Sequence, residues 1–185
     1  MSQLKKVNNA LYKATLNKGA GILVRVAWFF TNAAFFNHSL AVGSAIKVFI
    51  LKIFGAKMGT GIVIKPSVNI KFPWKLTVGN NTWIGEKVWI DNVDVITIGD
   101  NACISQGAYL LTGNHNYKSE SFDLITQPII IEDGVWIGAK AIVCPGVVCK
   151  SHSVLTVASV ATTHLNAYGI YKGNPAALAG NRVFN

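Results

Sequence analysis

The stretch IGDNACISQGAYLLTGNHNY, Ile98 to Tyr117, holds both a regular repeat and the point where that repeat breaks. Ile98, Ile104 and Leu110 stand six residues apart. The same register continues outward through Ile90, Ile84, Val78, Ile70 and Ile64 on one side. On the other it runs through Ile131, Ile137, Val143, Cys149, Leu155 and Ala161, with only three longer steps in the whole series. Twelve of these fourteen residues are Ile, Leu or Val, against 51 of 185 in the whole chain, so the register is not chance. The next residue is often glycine (Gly79, Gly85, Gly99, Gly138), and the fifth of each six is often small (Thr82, Ala102, Ala108, Ala141, Ser153, Ser159). Six is a multiple of two, so strand alternation survives; it is not a multiple of 3.6, so no helix could keep one face buried. Short strands joined by corners of about a third of a circle would turn every first residue inward. Three such units close one coil, and stacked coils make a parallel β-helix. The steps from Ile70 to Val78 and from Ile90 to Ile98 each carry two extra residues, which a corner absorbs.

The longest step, from Leu110 to Ile131, holds a loop over residues 111–128 that carries His115 between Asn114 and Asn116. Gly113, Asn114, Asn116, Ser119 and Ser121 are turn-forming or polar, as expected of chain leaving a regular framework. A long loop on a tightly coiled scaffold is more often functional than idle. A loop histidine alone is usually a solvated surface residue, so the role of His115 needs support from elsewhere.

Charge divides the chain. The net charge is +9, yet no Asp or Glu precedes Glu86, while eleven of the seventeen Lys and Arg do. All eight acids lie between Glu86 and Asp133. A basic first half points to an anionic partner. With no nucleic-acid motif and no dense arginine cluster, a membrane surface fits better and no nucleic-acid partner is expected. Cys103, Cys144 and Cys149 are odd in number and form no CxxC pair, which reads as buried thiols in a reducing cytoplasm.

Residues 1–57 form a first unit, basic and apolar. Ala20 to Phe36 is strongly apolar but broken by Arg25 and Asn32, too interrupted for a spanning helix and too late for a signal peptide. Lys18, Arg25, Asn32 and Ser39 fall seven apart, giving a helix one narrow polar stripe opposite a wide apolar face. Leu40 to Lys57 is a second apolar segment, carrying Lys47, Lys52 and Lys57. Two readings stay open: helices that cap the β-helix with their apolar face on the first coils, and helices that lie on a membrane surface. The coils occupy 58–172, and 173–185 is a C-terminal tail.

The segments LKIFGAKMGTGIVIKPSVNIKFPWKLTVGNNTWIG, TIGDNACISQGAYLLTGNHNY, PIIIEDGVWIGAKAIVCPGV and YGIYKGNPA resemble the hexapeptide-repeat acyltransferases. Within that family they are most similar to the exopolysaccharide, colanic-acid-type O-acetyltransferases. The resemblance covers roughly Lys47 to Arg182. It implies an all-β fold, a left-handed parallel β-helix behind an N-terminal α-helical segment; periodicity alone supplies no handedness. It further implies transfer of an acetyl group from acetyl-CoA to a sugar hydroxyl in exopolysaccharide or surface-glycan synthesis. A homotrimer with active sites between neighbouring subunits is also implied.

The histidine of TG-x-H is the family's catalytic base and corresponds to His115. The chemistry suits it, because a sugar hydroxyl is a poor nucleophile and a neutral imidazole can take its proton. The acetyl-CoA arm of the family corresponds to Trp136, Gly138, Ala139, Ala158, Thr162 and the Lys172 to Pro175 turn. Lys140, Lys150, Lys172 and Arg182 could meet the CoA phosphates or form an ordinary solvated basic face. Asp91, Asn92 and Asp94, about one coil before the loop, together with Asn114, are the candidates for the acceptor side. Turn residues are the plain alternative for the first three. Trp83, Trp89 and Trp136 are expected on one coil face that a partner subunit could cover.

Two departures from the family pattern stand out. Thr162-Thr163 replaces the frequent Thr-Lys, and Gly85 stands where the galactoside and maltose branch carries an acceptor-binding Asn. The first removes a CoA-facing lysine usual in the family, and the second argues against a free simple sugar of that branch's kind as acceptor. A lipid-linked sugar, or a different small acceptor such as an amino sugar or an antibiotic, stays open. A γ-carbonic-anhydrase-like protein would need three histidines converging on zinc. Only His115, His152 and His164 lie in the coils, at spacings that do not match, so no metal site is expected.

Overall fold

The computed structural model describes residues 5–13, 16–40 and 42–184. Two helices, α1 (Ile22–Phe35) and α2 (Ser44–Ile53), precede the coils. Three parallel sheets then wind together. The first coil is β1 (Lys57–Met58), β2 (Val63–Ile64) and β3 (Asn69–Ile70); the second is β4 (Leu76–Val78), β5 (Trp83–Ile84) and β6 (Trp89–Asp91). The third is β7 (Ile96–Ile98), β8 (Cys103–Ile104) and β9 (Tyr109–Leu111). A hairpin interrupts here, β10 (Gly113–His115) and β11 (Leu124–Thr126). Winding resumes with β12 (Ile129–Ile131), β13 (Trp136–Ile137) and β14 (Ile142–Val143), then β15 (Val148–Cys149), β16 (Val154–Leu155) and β17 (Val160–Ala161). A sixth turn starts at Leu165, which bridges Cys149, and reaches β18 (Gly169–Gly173). β19 (Ala176–Asn181) folds back antiparallel on β18, so the segment after Lys172 continues the sheet.

The six-residue register becomes three inward ladders. One runs Ile64, Ile84, Ile104, Ile137, Leu155, Tyr171, and another Ile70, Ile90, Leu110, Val143, Ala161. All fourteen residues of the register are at most 2% exposed. The small fifth residues are buried as well, because a corner has room for a hydroxyl or methyl and no more. At one corner a polar ladder climbs the coils: Asn80 Oδ1 accepts from Thr60 N, Asp100 Oδ1 from Asn80 N, and Asp133 Oδ1 from Asp100 N at 2.6–2.9 Å. Gly99 is needed there, since a Cβ would lie 2.2 Å from Asp133 Oδ1.

A correction concerns the tryptophans. Trp83 and Trp136 share the outer face of the β5–β8–β13 sheet, whereas Trp89 is on the neighbouring sheet and stacks on Tyr109 at 4.7 Å. Six residues turn the chain through a third of a coil, so Trp83 and Trp89 cannot share a face.

The helices pack the opposite way round from ordinary surface helices. Trp28 donates its indole N–H to Ile70 O (2.9 Å), and Asn32 bonds Asn69 (2.7 Å). Lys47 is fully buried; its Nζ donates to Lys65 O at 2.8 Å and lies 5.8 Å from the Phe36 ring centroid. The polar stripe faces the protein. The wide apolar face looks outward, with Leu23, Phe29, Phe30 and Phe49 each 65–82% exposed. The apolar surface is divided: Trp28, Phe36 and Leu51 join the core of the first coils, and Leu23, Phe29, Phe30 and Phe49 face outward. No helix among the described residues is long and apolar enough to cross a membrane.

Candidate active site

The loop of residues 111–128 is rooted by Thr112 and Gly113. Thr112 is buried; its hydroxyl donates to Asp91 O (3.0 Å) and accepts from Asp94 N (2.9 Å), tying the loop to the coil before it. Gly113 lies so close to that coil that a Cβ would sit 2.9 Å from Val93 Cγ2. Asn114 Oδ1 takes the His115 backbone N–H at 2.8 Å. β10 pairs with β11 in the register Gly113–Thr126, Asn114–Ile125, His115–Leu124.

His115 is half-buried and held from two directions. Its ring stacks on Phe122 with centroids 4.5 Å apart and planes 4° off parallel. Its Nδ1 lies 2.8 Å from the Phe122 carbonyl oxygen. A carbonyl can only accept, so Nδ1 carries a proton, and in the neutral ring Nε2 then keeps its lone pair. Phe122 has φ +51°, a left-handed conformation uncommon for a bulky residue and of the kind that collects at functional sites. Tyr12 approaches from the N-terminal arm, its ring centroid 6.1 Å from that of His115. The arm is anchored by Asn8 N to Glu120 O (2.9 Å) and by Lys75 Nζ to Asn17 O (2.6 Å).

Two hollows flank the hairpin. One, of about 420 Å³, contains Asp94 with Lys75, Asn17 and Thr126. Burial lowers the Lys75 ammonium from its ordinary range, and the Asp94 carboxylate partly offsets this. The other, of about 340 Å³, contains Asn114 and Thr162 with Gln127 and Cys144.

The remaining expected site residues fall in different places. Asp91 pairs with Lys71 at 2.8 Å and accepts from Tyr109 OH, which burial and that carboxylate push up to about 12. Asn92 is buried, and its amide clamps Phe72 N and O at 2.9 and 2.6 Å. Gly138, Ala139 and Ala158 stack at one corner: Ala158 N donates to Ala139 O at 2.9 Å, and a Cβ on Gly138 would meet Val157 N at 2.6 Å. Trp136, on the strand before that corner, donates to Ser105 Oγ (2.9 Å). Thr162 lies at the next corner, beside the hairpin. Lys172 is exposed on β18. Arg182 donates to Gly134 O at 2.9 Å and lies over the Phe184 ring at 4.7 Å. One chain therefore brings Asn114 and Thr162 together in the hollow beside the hairpin that carries His115, and leaves Trp136, Gly138, Ala139, Ala158, Lys172 and Arg182 elsewhere on the coils.

His152 stacks near Tyr168, and His164 Nδ1 accepts from Val148 N, so neither approaches His115. Among the described residues no three His, Cys, Asp or Glu form a metal-holding group. Sequence reading missed Phe122 and Lys75. Phe122 acts through a backbone carbonyl, which leaves no residue-type signal, and Lys75 sits in a connection outside the repeat.

Comparison with known proteins bears on this geometry. No family model matches the chain. WcaF of Escherichia coli K12, named as a colanic acid biosynthesis acetyltransferase, is 36% identical over 166 residues, 90% of this chain and 91% of that one. The chain belongs to the hexapeptide-repeat acetyltransferases. The galactoside O-acetyltransferase of E. coli K12 is 27% identical over 76% of this chain and 70% of its own. A hexapeptide-repeat acetyltransferase of Vibrio cholerae O1 biovar eltor, solved with acetyl coenzyme A, superposes with a TM-score of 0.78 at 23% identity. That alignment covers 88% of this chain and 91% of the other. The coils match the left-handed β-helix of these acyltransferases, and the chain is an acyltransferase.

Proposed function

We propose that the chain transfers the acetyl group of acetyl-CoA to a hydroxyl of a surface-glycan saccharide, with His115 as the general base. The observation that carries this reading is the Nδ1–H bond to Phe122 O, which leaves Nε2 free as a base. Nε2 takes the hydroxyl proton as the sugar oxygen attacks the thioester carbonyl. The tetrahedral intermediate collapses, the carbon–sulfur bond breaks, and the CoA thiolate takes the proton back from Nε2. The products are an acetyl ester and CoA. A backbone N–H beside the scissile carbonyl is the natural donor to the oxyanion.

The acceptor approaches through the hollow of Asp94 and Lys75, with Asn92 holding the backbone of Phe72 just before Lys75, while the carboxylate of Asp91 is engaged by Lys71 and Tyr109. Acetyl-CoA enters past Asn114 and Thr162. Trp136, Gly138, Ala139, Ala158, Lys172 and Arg182 complete its cleft from a neighbouring subunit of a homotrimer. Their distribution over several corners supports this, because one chain holds only part of the set around His115. The wide apolar face of α1 and α2, in a segment with eight Lys or Arg and no acid, supports docking on an anionic membrane surface.

The test is a screen of lipid-linked and free saccharides with acetyl-CoA, read by mass spectrometry and CoA thiol release. A gain of one acetyl group on a saccharide hydroxyl is expected. Failure to acetylate any saccharide, with acetyl-CoA still bound, would remove the proposed acceptor class. Light scattering should give three times the 19.9 kDa chain mass, and a fully active monomer would end the shared-site reading.

A further inference from the structure

Between α1 and the outer face of β3 and β6 runs a groove of about 430 Å³. Arg25 and Lys71 are its charged groups, beside the amides of Asn32, Asn37 and Asn69, and Phe29, Trp74 and Trp89 are among its aromatic walls. No acid lines it. Lys71 is paired with Asp91, whose charge it cancels, so Arg25 is the groove's uncompensated cation. Among the described residues the Arg25 side chain makes no hydrogen bond or ion pair, and its Nε is buried without a partner. A buried guanidinium N–H left unbonded is costly, and the planar fork of Arg suits a phosphate. Phe29 joins the groove to the outward apolar face of the helices.

We infer that this groove is a phosphate site for a membrane lipid, whose headgroup phosphate meets Arg25 while its chains lie against Phe29 and Phe30. The assignment rests on the docking reading above and adds a specific seat to it. It accounts for three observations together: an arginine facing inward without a partner, aromatic walls around it, and an apolar helix face turned away from the protein. Arg25 alternates with Trp28 and Asn32 along the inner side of α1, so the residues that pin the helix to β3 also hold the guanidinium in place.

Co-sedimentation of the full-length protein with phosphatidylcholine vesicles containing one-fifth phosphatidylglycerol tests it. Lys52→Gln, which removes one exposed charge from α2, should weaken partitioning by at most about fivefold, the worth of one cation at an anionic leaflet. Arg25→Gln should weaken it by tenfold or more, and Arg25→Lys should fall between. Both Arg25 variants should keep the melting temperature within a few degrees. Equal losses in Arg25→Gln and Lys52→Gln would make Arg25 one more surface charge and overturn the site. Tryptophan fluorescence titrated with inorganic phosphate separates a free-anion site from a lipid one. A phosphate response as strong as the vesicle response would overturn the lipid assignment. A change of oligomeric mass in Arg25→Gln would assign the groove to contact between copies instead. If wild-type protein ignores the vesicles altogether, docking itself fails; acetyl transfer to a soluble acceptor would still proceed, so the two failures are distinguishable.

Discussion

Replacing His115 with alanine separates the chemistry from the fold. In the structure His115 makes one ring hydrogen bond, to Phe122 O, and one parallel stack, on the Phe122 ring. Losing the bond costs about 0.5–1.5 kcal/mol and losing the stack a similar amount, and both losses are confined to the tip of an exposed hairpin. The coils do not depend on them, since the three inward ladders pass the hairpin by. The loss in turnover should be far larger than this local cost suggests. Without a base at Nε2 the hydroxyl must attack while still protonated, and a positioned general base contributes about 10²–10⁴ in rate. That corresponds to about 3–5 kcal/mol of barrier. Thiol release from acetyl-CoA with a saccharide acceptor reads the rate, and calorimetric titration with CoA reads the cofactor site. The expected result is a turnover loss of at least a hundredfold with CoA affinity unchanged and thermal unfolding within a few degrees of wild type. Turnover within tenfold of wild type would refute the assignment of His115 as the base.

Two further predictions concern stability. Ile104→Ala removes a side chain with no exposure from the middle of a ladder, between Ile84 and Ile137, and should cost about 2–5 kcal/mol in urea unfolding; a loss under about 1 kcal/mol would contradict the stacked core. Burial lowers the Lys47 ammonium below the ordinary lysine value of 10.5, so the unfolded chain holds that proton more tightly than the folded one. Stability therefore rises with pH from the lowered value towards 10.5 and is lower beneath it. Lys47→Met should flatten that rise, as read from the difference between variant and wild-type melts across alkaline pH. An unchanged slope would show that Lys47 titrates as in the unfolded chain.

The coils and the catalytic candidate were legible in the sequence because both are local. A period of six, with three longer steps, marks fourteen buried residues from Ile64 to Ala161, and Thr112, Gly113 and His115 follow one another at the point where the period breaks. The direction in which the front helices face was not legible. Amphipathicity gives two faces and does not say which one meets the protein. That choice was made by Trp28 with Ile70, Asn32 with Asn69 and Lys47 with Lys65, partners 18 to 42 residues apart. These contacts turn Arg25 and Asn32 inward and leave Phe29, Phe30 and Phe49 outside. The group orienting His115 was hidden for a related reason: it is a main-chain oxygen, present on every residue. Only the tight turn that puts Phe122 at φ +51° aims it at the imidazole. Sequence by itself determined the repeat and the point at which it breaks, because each depends on spacing along the chain. Tertiary structure decided facing, the tautomer of His115 and the distribution of the proposed cofactor residues over the corners, because each depends on which distant groups the fold brings within reach.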